Sequence, residues 1–567
     1  MGIAHLPIRA IPFLVSKNKN KGGPIMLGQM MHRPLSIIEI LRYAAEIHRD
    51  AEIVSVRTEG DIHRYGYGDA MTRVGQLAHA LDRLGVRGGD RVATLAWNGY
   101  RHFELYYAIS GMGAVCHTIN PRLSAEQMTF IVDHAQDRVL FTDLTFVPIL
   151  KNIRDQLPTH MQIVIMCDPD HMPDGLDGAL CYETLLAGQS PVYDWPSLDE
   201  NTAAGLCYTS GTTGNPKGAL YSHRSTVLHA MSVAISMGRL MGEGTRVLPV
   251  VPLFHVNAWG LPYTAPMVGA SLIFPGAQLD GASLYQLMDR EAVTSAWGVP
   301  TVWLGLLGEI AQQGRNPAGF DNVVVGGSAA PRSMIRSFET SGVSVCHAWG
   351  MTEMSPIGTH GILPDHQRIT LDLEQRLDIQ QAQGRRAWGV DLKIVDDAGQ
   401  PLPHDGQTAG ELYVRGNGII SGYYNNADAT ASAMDMDGWF STGDIATISP
   451  NGLLRIQDRS KDLIKSGGEW ISSIDLENIV IGHADVANCA VIAVPHPKWD
   501  ERPLLIVVPA GDRRVTKDEI DALLLKHVAK WQLPDAIEFV DALPLTATGK
   551  VSKLTLRQQF ADYELPN

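Results

Sequence analysis

The chain reads as an α/β protein in two parts, a large N-terminal domain of parallel-rich sheets covered by helices and a small α+β C-terminal domain. Three observations predict this. A length of 567 residues exceeds what one hydrophobic core supports, so the chain should divide. Apolar strand-like runs alternate with helix-spaced segments over most of the length, the order that builds parallel sheets. After position 458 the pattern changes to short apolar runs followed by an amphipathic helix.

Taken in order, Arg91-Val-Ala-Thr-Leu-Ala-Trp97 has the pattern of a buried strand, Tyr100 to Met112 has helical spacing, and Ala114-Val-Cys-His-Thr-Ile119 reads as a second strand. The alternation returns around Val139 to Met166 and from Ala270 to Val325. The uncharged run from Val247 to Leu279 contains Pro249, Pro252, Pro262, Pro266 and Pro275. Five prolines exclude an uninterrupted membrane-spanning helix, so this run is expected to be core lining a cavity. Further on, Asn488 to Val494 and Leu504 to Val508 are predicted strands, and Thr516 to Ala529 a helix capped by Thr516 with Glu519 three residues on. The charged stretch Asp458-Arg-Ser-Lys-Asp462 marks the seam, giving domains 26–458 and 459–567.

Hydrophobic residues make up 45% and charged residues 19%, an ordinary soluble globular composition. A net charge of −15 argues against a nucleic-acid partner held by a general basic surface, leaving a local patch open. Cys116, Cys167, Cys181, Cys207, Cys346 and Cys489 are scattered with no Cys-x-x-Cys pair, which suits reduced thiols in a cytosolic protein rather than a zinc site. Residues 1–25 stand apart. Ile11-Pro-Phe-Leu-Val15 is too short for a signal-peptide core, with Lys17, Lys19 and Lys21 after it, and Leu6 occupies the Ser/Thr position of a myristoylation motif. Met26-Leu-Gly-Gln-Met30 would serve as a start, so 1–25 is expected to be a disordered extension or a misplaced initiation.

The most informative segment is Tyr208-Thr-Ser-Gly-Thr-Thr-Gly-Asn-Pro-Lys-Gly218. Hydroxyls of Thr209, Ser210, Thr212 and Thr213 alternate with Gly211, Gly214 and Gly218, and Lys217 adds a cation. Glycines admit close backbone approach, hydroxyls and amides donate to phosphate oxygens, and the ammonium offsets charge, so the loop suits a polyphosphate. It is not a Walker loop, since Lys217 follows Pro216 and precedes Gly218.

This loop resembles the phosphate loop of the adenylate-forming superfamily, which includes acyl-CoA synthetases, nonribosomal adenylation domains and firefly-type luciferases. Other segments match that family in its order. Trp349-Gly-Met-Thr-Glu353 resembles its aromatic-Gly-x-Thr-Glu element. The resemblance implies that Trp349 stacks on adenine, Thr352 contacts the α-phosphate and Glu353 binds Mg²⁺ opposite Thr209, with His347, Ala348 and Gly350 among the nucleotide-binding residues. Val325-Gly-Gly-Ser-Ala-Ala-Pro331 resembles the turn that packs on the base, with Gly327 and Ser328 leaving room for the purine. In Ser441-Thr-Gly-Asp444 the aspartate would accept both ribose hydroxyls, joined by Arg459.

Lys461-Asp-Leu-Ile-Lys-Ser-Gly-Gly-Glu-Trp470 resembles the family's hinge and glycine-rich segment. It implies a pivot at Lys461, nucleotide contact at Lys465, and a coenzyme A channel along Gly467, Gly468 and Trp470, where glycine leaves space for a pantetheine arm. Leu545-Thr-Ala-Thr-Gly-Lys550 resembles the terminal element whose lysine enters the site only for adenylation, making the small domain mobile. Pro252-Leu-Phe-His-Val-Asn-Ala-Trp-Gly260 resembles the acyl-pocket element of fatty acyl-CoA synthetases, with His255 near the carboxylate, Val256 in the pocket and Trp259 gating the tunnel. No Asp or Arg in that run would pair with an amino-acid substrate.

The resemblance therefore implies a cytoplasmic fatty acid–CoA ligase for a medium- or long-chain acid, using Mg²⁺, ATP and coenzyme A, with Lys550, Thr352 and Glu353 catalytic and a homodimer suggested. Alternatives are a ligase for 3-methylthiopropionate or another short acid, a luciferase-type oxygenase, and an adenylate-binding protein without turnover.

Overall fold

Alternating apolar strands and covering helices assemble into sheets whose loops converge on one region. The computed structural model describes residues 28–209, 215–467, 469–511, 513–546 and 550–566. Two compact units result, Met1–Pro34 and Leu35–Asn567; the described part of the first, 28–34, has no helix or strand. The expected extension 1–25, Ser210, Gly211, Thr212, Thr213 and Gly468 lie outside the described residues.

A seven-stranded sheet runs in the order Leu180–Cys181, Gln162–Ile165, Asp137–Thr142, Arg91–Leu95, Val115–Thr118, Ala203–Thr209, Lys217–Ser222. It is parallel except for its last pair, a hairpin in which Thr209 stands opposite Lys217. Thr209 and Lys217, the two flanks of the predicted phosphate loop, are therefore a cross-strand pair.

A thirteen-stranded sheet has two halves. Glu52–Val56, Ser271–Phe274, Arg246–Pro249, Ser295–Gly298, Asn322–Val325 and Ser344–Gly350 pair in parallel, as their continuous apolar runs predict. From Ile357–His360 through Gly384–Arg386, Leu453–Arg459, Phe440–Ile448 and Gly410–Gly416 to Val390–Val395 the pairing is antiparallel, a half the sequence reading did not anticipate. Strand Ser344–Gly350 joins the halves. Its residues 344–347 pair in parallel with Asn322–Val325, while Ala348 to Gly350 pair antiparallel with Ile357–His360 across a bulge at Trp349/Gly350. The bulge re-aims the motif that follows.

Helix Tyr100–Gly111 touches strands of both sheets and is buried on every face, unlike an amphipathic surface helix. It carries two charges into the interior, and both are paired: Arg101 meets Glu59 at 2.6 Å, Asp168 at 2.7 Å and Glu183 at 2.8 Å, and Glu104 meets Arg73 at 2.7 Å. The uncharged proline-rich run becomes strand Arg246–Pro249, short helices and strand Ser271–Phe274. No helix among the described residues is long and apolar enough to cross a membrane.

Beyond Arg459 a five-stranded sheet forms around the long hairpin Val486–His496 and Asp500–Pro509, extending both predicted strands. One face packs on helices Ser473–Val480 and Lys517–Leu524, the other on Lys553–Gln559 through Leu556. The helix predicted to reach Ala529 keeps its Thr516–Glu519 capping box but stops at Leu524. There the amides of His527 and Val528 converge on one carbonyl, that of Leu524, which tightens the last turn and ends the helix, and Leu525 is 49% exposed.

Candidate active site

A cavity of about 590 Å³ opens where the paired residues Thr209 and Lys217, the bulged strand, the end of Leu453–Arg459 and the segment around Lys550 meet. Its wall includes Thr209, Lys217, His255, Val256, Trp259, Gly327, Ser328, Ala348, Trp349, Gly350, Thr352, Glu353, Arg459, Lys461 and Lys550. Residues from Thr209 to Lys550 are thus brought together around one cavity.

Two tyrosines, missed in the sequence, fix the Thr352–Glu353 turn. Tyr221 donates to the Thr352 carbonyl at 2.6 Å, and Tyr423 donates to Glu353 Oε1 at 2.8 Å. The Tyr423 ring also faces Lys217, whose Nζ is 5.1 Å from its centroid, and the Tyr424 amide donates to the Gly218 carbonyl. Only the Tyr423-Tyr424 doublet could have drawn attention to this anchor. Burial raises the carboxyl of Glu353 above its ordinary range, while Tyr423 and the charges of Arg459 and Lys217 pull it back.

Asp444 is 3% exposed and adjoins this wall. Antiparallel register sets it beside Arg459, whose Nε reaches Oδ1 at 2.8 Å. The other oxygen accepts the Trp349 indole N–H at 2.9 Å. Trp349 also lies against Gly358, where a Cβ would fall 2.7 Å from the ring. Burial raises Asp444 as well, opposed first by Arg459 and then by the indole hydrogen bond.

Lys550 enters from the small sheet's side. Gly327, at φ +82°, leaves room for it: a Cβ there would lie 3.3 Å from Lys550 Cε. Desolvation, helped by the charge of Arg459, lowers the ammonium to about 8, while Asp444 and Glu353 oppose the shift. Lys461 is lowered too, mainly by burial.

The apolar end is built on unusual backbone. Val256, Asn257, Ala258, Trp259 and Gly260 have φ of 43°, 55°, 47°, 57° and 79°, a left-handed turn. Such geometry costs roughly 1–2 kcal/mol per non-glycine residue. It presses the Trp259 indole onto Gly326, where a Cβ would fall 2.9 Å from the ring. Burial, with Lys550 nearby, lowers the His255 imidazole to about 3, so it is neutral near pH 7.

Four expected residues stand elsewhere. The His347 ring is buried outside the cavity wall: Nε2 accepts the Ala330 amide at 3.3 Å, which places the proton on Nδ1, facing the Gln380 and Gln381 carbonyls at 3.2 Å. Its side chain braces the Ser328–Pro331 turn. Lys465 and Trp470 belong to strands of the small sheet and Gly467 follows the strand Ile464–Ser466, all away from the cavity wall. Lys465 pairs with Trp470 across strands, and Gly467, at φ +61°, lies under the Trp499 ring.

Comparison with known proteins places the chain in a class. Residues 41–424 match the AMP-binding enzyme family and residues 475–550 the AMP-binding enzyme C-terminal domain, so the chain belongs to the AMP-binding, adenylate-forming enzymes. It is 50% identical over 543 residues to 3-methylmercaptopropionyl-CoA ligase of Ruegeria lacuscaerulensis, covering 95% of this chain and 99% of that protein. It is 48% identical over 539 residues to medium-chain-fatty-acid–CoA ligase of Ectopseudomonas oleovorans, covering 95% and 98%. Among solved structures, an anthranilate CoA ligase in complex with anthranoyl-AMP superposes with a TM-score of 0.83 at 25% identity, covering 94% and 99%.

Proposed function

We propose that this protein activates a medium- or long-chain fatty acid to its coenzyme A thioester through an acyl-adenylate. The observation that carries the reading is one cavity in which Lys550, Glu353 and Arg459 border an apolar recess of Val256, Trp259 and Leu304. A carboxylate is a poor acyl donor. In the first step its oxygen attacks the α-phosphorus of ATP, an acyl–O–P bond forms and pyrophosphate leaves. In the second, the thiol sulfur of coenzyme A attacks the acyl carbon, AMP leaves with the bonding pair, and the thiol proton passes to solvent.

In this reading Lys550 and Lys217 offset charge growing on the phosphoryl oxygens, and Thr352 donates to the α-phosphate. Asp444, Arg459 and Trp349 hold the nucleoside. Neutral His255 lies where the acid's head group would meet the adenylate. Thr209 and Glu353 would hold Mg²⁺: both are hard oxygen donors on the cavity wall, and Tyr423 occupies only one Glu353 oxygen. The ion, when bound, would neutralise polyphosphate charge.

Gly467, Gly468 and Trp470 are assigned to the pantetheine path, used after the small domain, 459–567, turns about Lys461 relative to 26–458. The place of Gly467 and Trp470 away from the cavity that Lys550 enters fits two alternating conformations. A homodimer in the cytoplasm completes the reading, on the family resemblance.

A second reading, 3-methylthiopropionate or another short acid, is favoured by the relative at 50% identity. AMP and pyrophosphate release across straight-chain acids from three to eighteen carbons, with 3-methylthiopropionate alongside and with or without coenzyme A, tests both. Highest kcat/KM on acids of eight or more carbons is expected. Highest kcat/KM on 3-methylthiopropionate selects the second reading, and AMP formation indifferent to coenzyme A overturns the ligase assignment.

A further inference from the structure

Between the cavity and the loop that delivers Lys550 runs a continuous line of hydrogen bonds. The Arg459 guanidinium holds Asp444, and the Arg459 amide donates to Asp458 Oδ1 at 2.8 Å. Asp458 Oδ2 then accepts twice from Ser473, from its amide at 2.7 Å and its hydroxyl at 2.6 Å. The Ser473 hydroxyl in turn accepts from Lys553 Nζ at 2.5 Å, and the same ammonium meets Glu477 Oε1 at 2.7 Å. Lys553 opens the helix Lys553–Gln559, three residues past Lys550. Asp458 and Ser473 are 1% and 0% exposed.

These partners sit on opposite sides of the chain crossing. Asp458 ends the last strand pair of the large sheet, whereas Ser473 begins helix Ser473–Val480, and Lys553 follows on the small sheet's other helix. A second bond crosses at the same level, from the Ser472 hydroxyl to the Gln457 carbonyl at 2.7 Å. By contrast Arg557, one turn beyond Lys553, pairs with Asp462 at 2.7 Å, already past Lys461. The Asp458–Ser473 pair must therefore part when the small sheet moves away from the cavity, while the Lys553–Glu477 and Arg557–Asp462 pairs travel together.

We propose that Asp458, Ser473 and Lys553 form a latch that positions Lys550 for adenylation and opens for the thioester step; this rests on the two-step reading above. The buried carboxylate takes two donors at the start of a helix, and the serine relays it to a cation on the segment that carries Lys550. Water can replace these donors once the carboxylate is exposed, so the latch is strong when closed and reversible when opened.

The test uses full-length Ser473→Ala, Asp458→Asn and Lys553→Met with the best acid of the panel. Acid-dependent ATP–pyrophosphate exchange reads the first step, and thioester formation from synthetic acyl-adenylate and coenzyme A reads the second. Exchange should fall roughly 10- to 100-fold, the scale of one hydrogen bond to a charged group, while thioester formation stays within about twofold or rises. Ser473→Ala removes one hydroxyl and spares the amide donor, so it remains a folded probe if Asp458→Asn does not; thermal unfolding checks both. Equal losses in both steps, or none, in a variant with wild-type Tm overturn the latch. Absence of exchange in the wild type with every acid instead removes the two-step reading itself, and the latch with it.

Discussion

Removing one hydrogen-bond donor, the indole N–H of Trp349, should change how this protein handles ATP more than how it folds. Trp349→Phe keeps an aromatic face where adenine is assigned but leaves Asp444 Oδ2 without its donor at 2.9 Å, with Arg459 the remaining charge partner. A hydrogen bond to a charged group is worth about 1.5–3 kcal/mol, which converts to roughly a 10- to 150-fold loss in kcat/KM for ATP. The pH profile provides the sharper readout. Burial already raises the Asp444 carboxyl, and the indole N–H is one of the groups pulling it down. Removing that donor raises it further, so the acid limb of kcat/KM for ATP should move to higher pH, because only the ionised carboxylate accepts two ribose hydroxyls. The assay is ATP–pyrophosphate exchange from pH 5 to 9 with wild type and variant. An unmoved acid limb with kcat/KM within about twofold of wild type would refute the assignment of Asp444 to the ribose through this bond.

Other outcomes follow from the same cavity. Lys550→Ala should slow adenylation by roughly 10²–10³ and leave thioester formation from supplied acyl-adenylate largely intact, and equal loss in both half-reactions would contradict its role. With the ammonium lowered to about 8, Lys550 is charged below that pH and neutral above it, so kcat/KM for ATP should fall as pH rises through 8. Lys550→Arg should abolish that limb, since a guanidinium stays charged to about pH 12. Gly326→Ala would set a methyl 2.9 Å from the Trp259 ring and 3.1 Å from the Ala348 carbonyl, which lies in a sheet and cannot retreat. Overpacking on that scale should displace Trp259 and raise KM for the acid roughly tenfold with KM for ATP unchanged. A change in KM for ATP alone would place Gly326 with the nucleotide instead.

Where chemistry is written in contiguous residues, the sequence was enough. Thr209 and Lys217 flank a glycine-hydroxyl loop whose residue types suit a polyphosphate, whereas the phosphate and metal roles expected of Thr352 and Glu353 came from the family resemblance of Trp349 to Glu353. The parallel half of the large sheet was legible for a similar reason, since a strand buried on both faces is a continuous apolar run. The antiparallel half between Gly384 and Arg459 was not, because its strands alternate exposed and buried residues within a charged background. Tyr221 and Tyr423 were invisible too: a tyrosine reports its hydroxyl's partner only when that partner, 131 or 70 residues away, is in place. His347, adjoining the nucleotide motif, lies off the cavity wall, held between the Ala330 amide and the Gln380 and Gln381 carbonyls, partners that no short segment reveals.

By itself the sequence determined the class of reaction, because the motifs from Tyr208 to Lys550 resemble those of the adenylate-forming family in their order, and short motifs survive in contiguous residues. It also pointed to a small C-terminal α+β domain, through the switch in apolar pattern. Tertiary structure alone decided which of those groups meet. It set the Trp349 N–H on Asp444, folded Val256 to Gly260 into a left-handed turn against Gly326, and ran a hydrogen-bonded line from Arg459 through Asp458 and Ser473 to Lys553. Such pairings depend on register, burial and the closing of long loops. These are properties of the whole packed chain and leave no signature in any short segment.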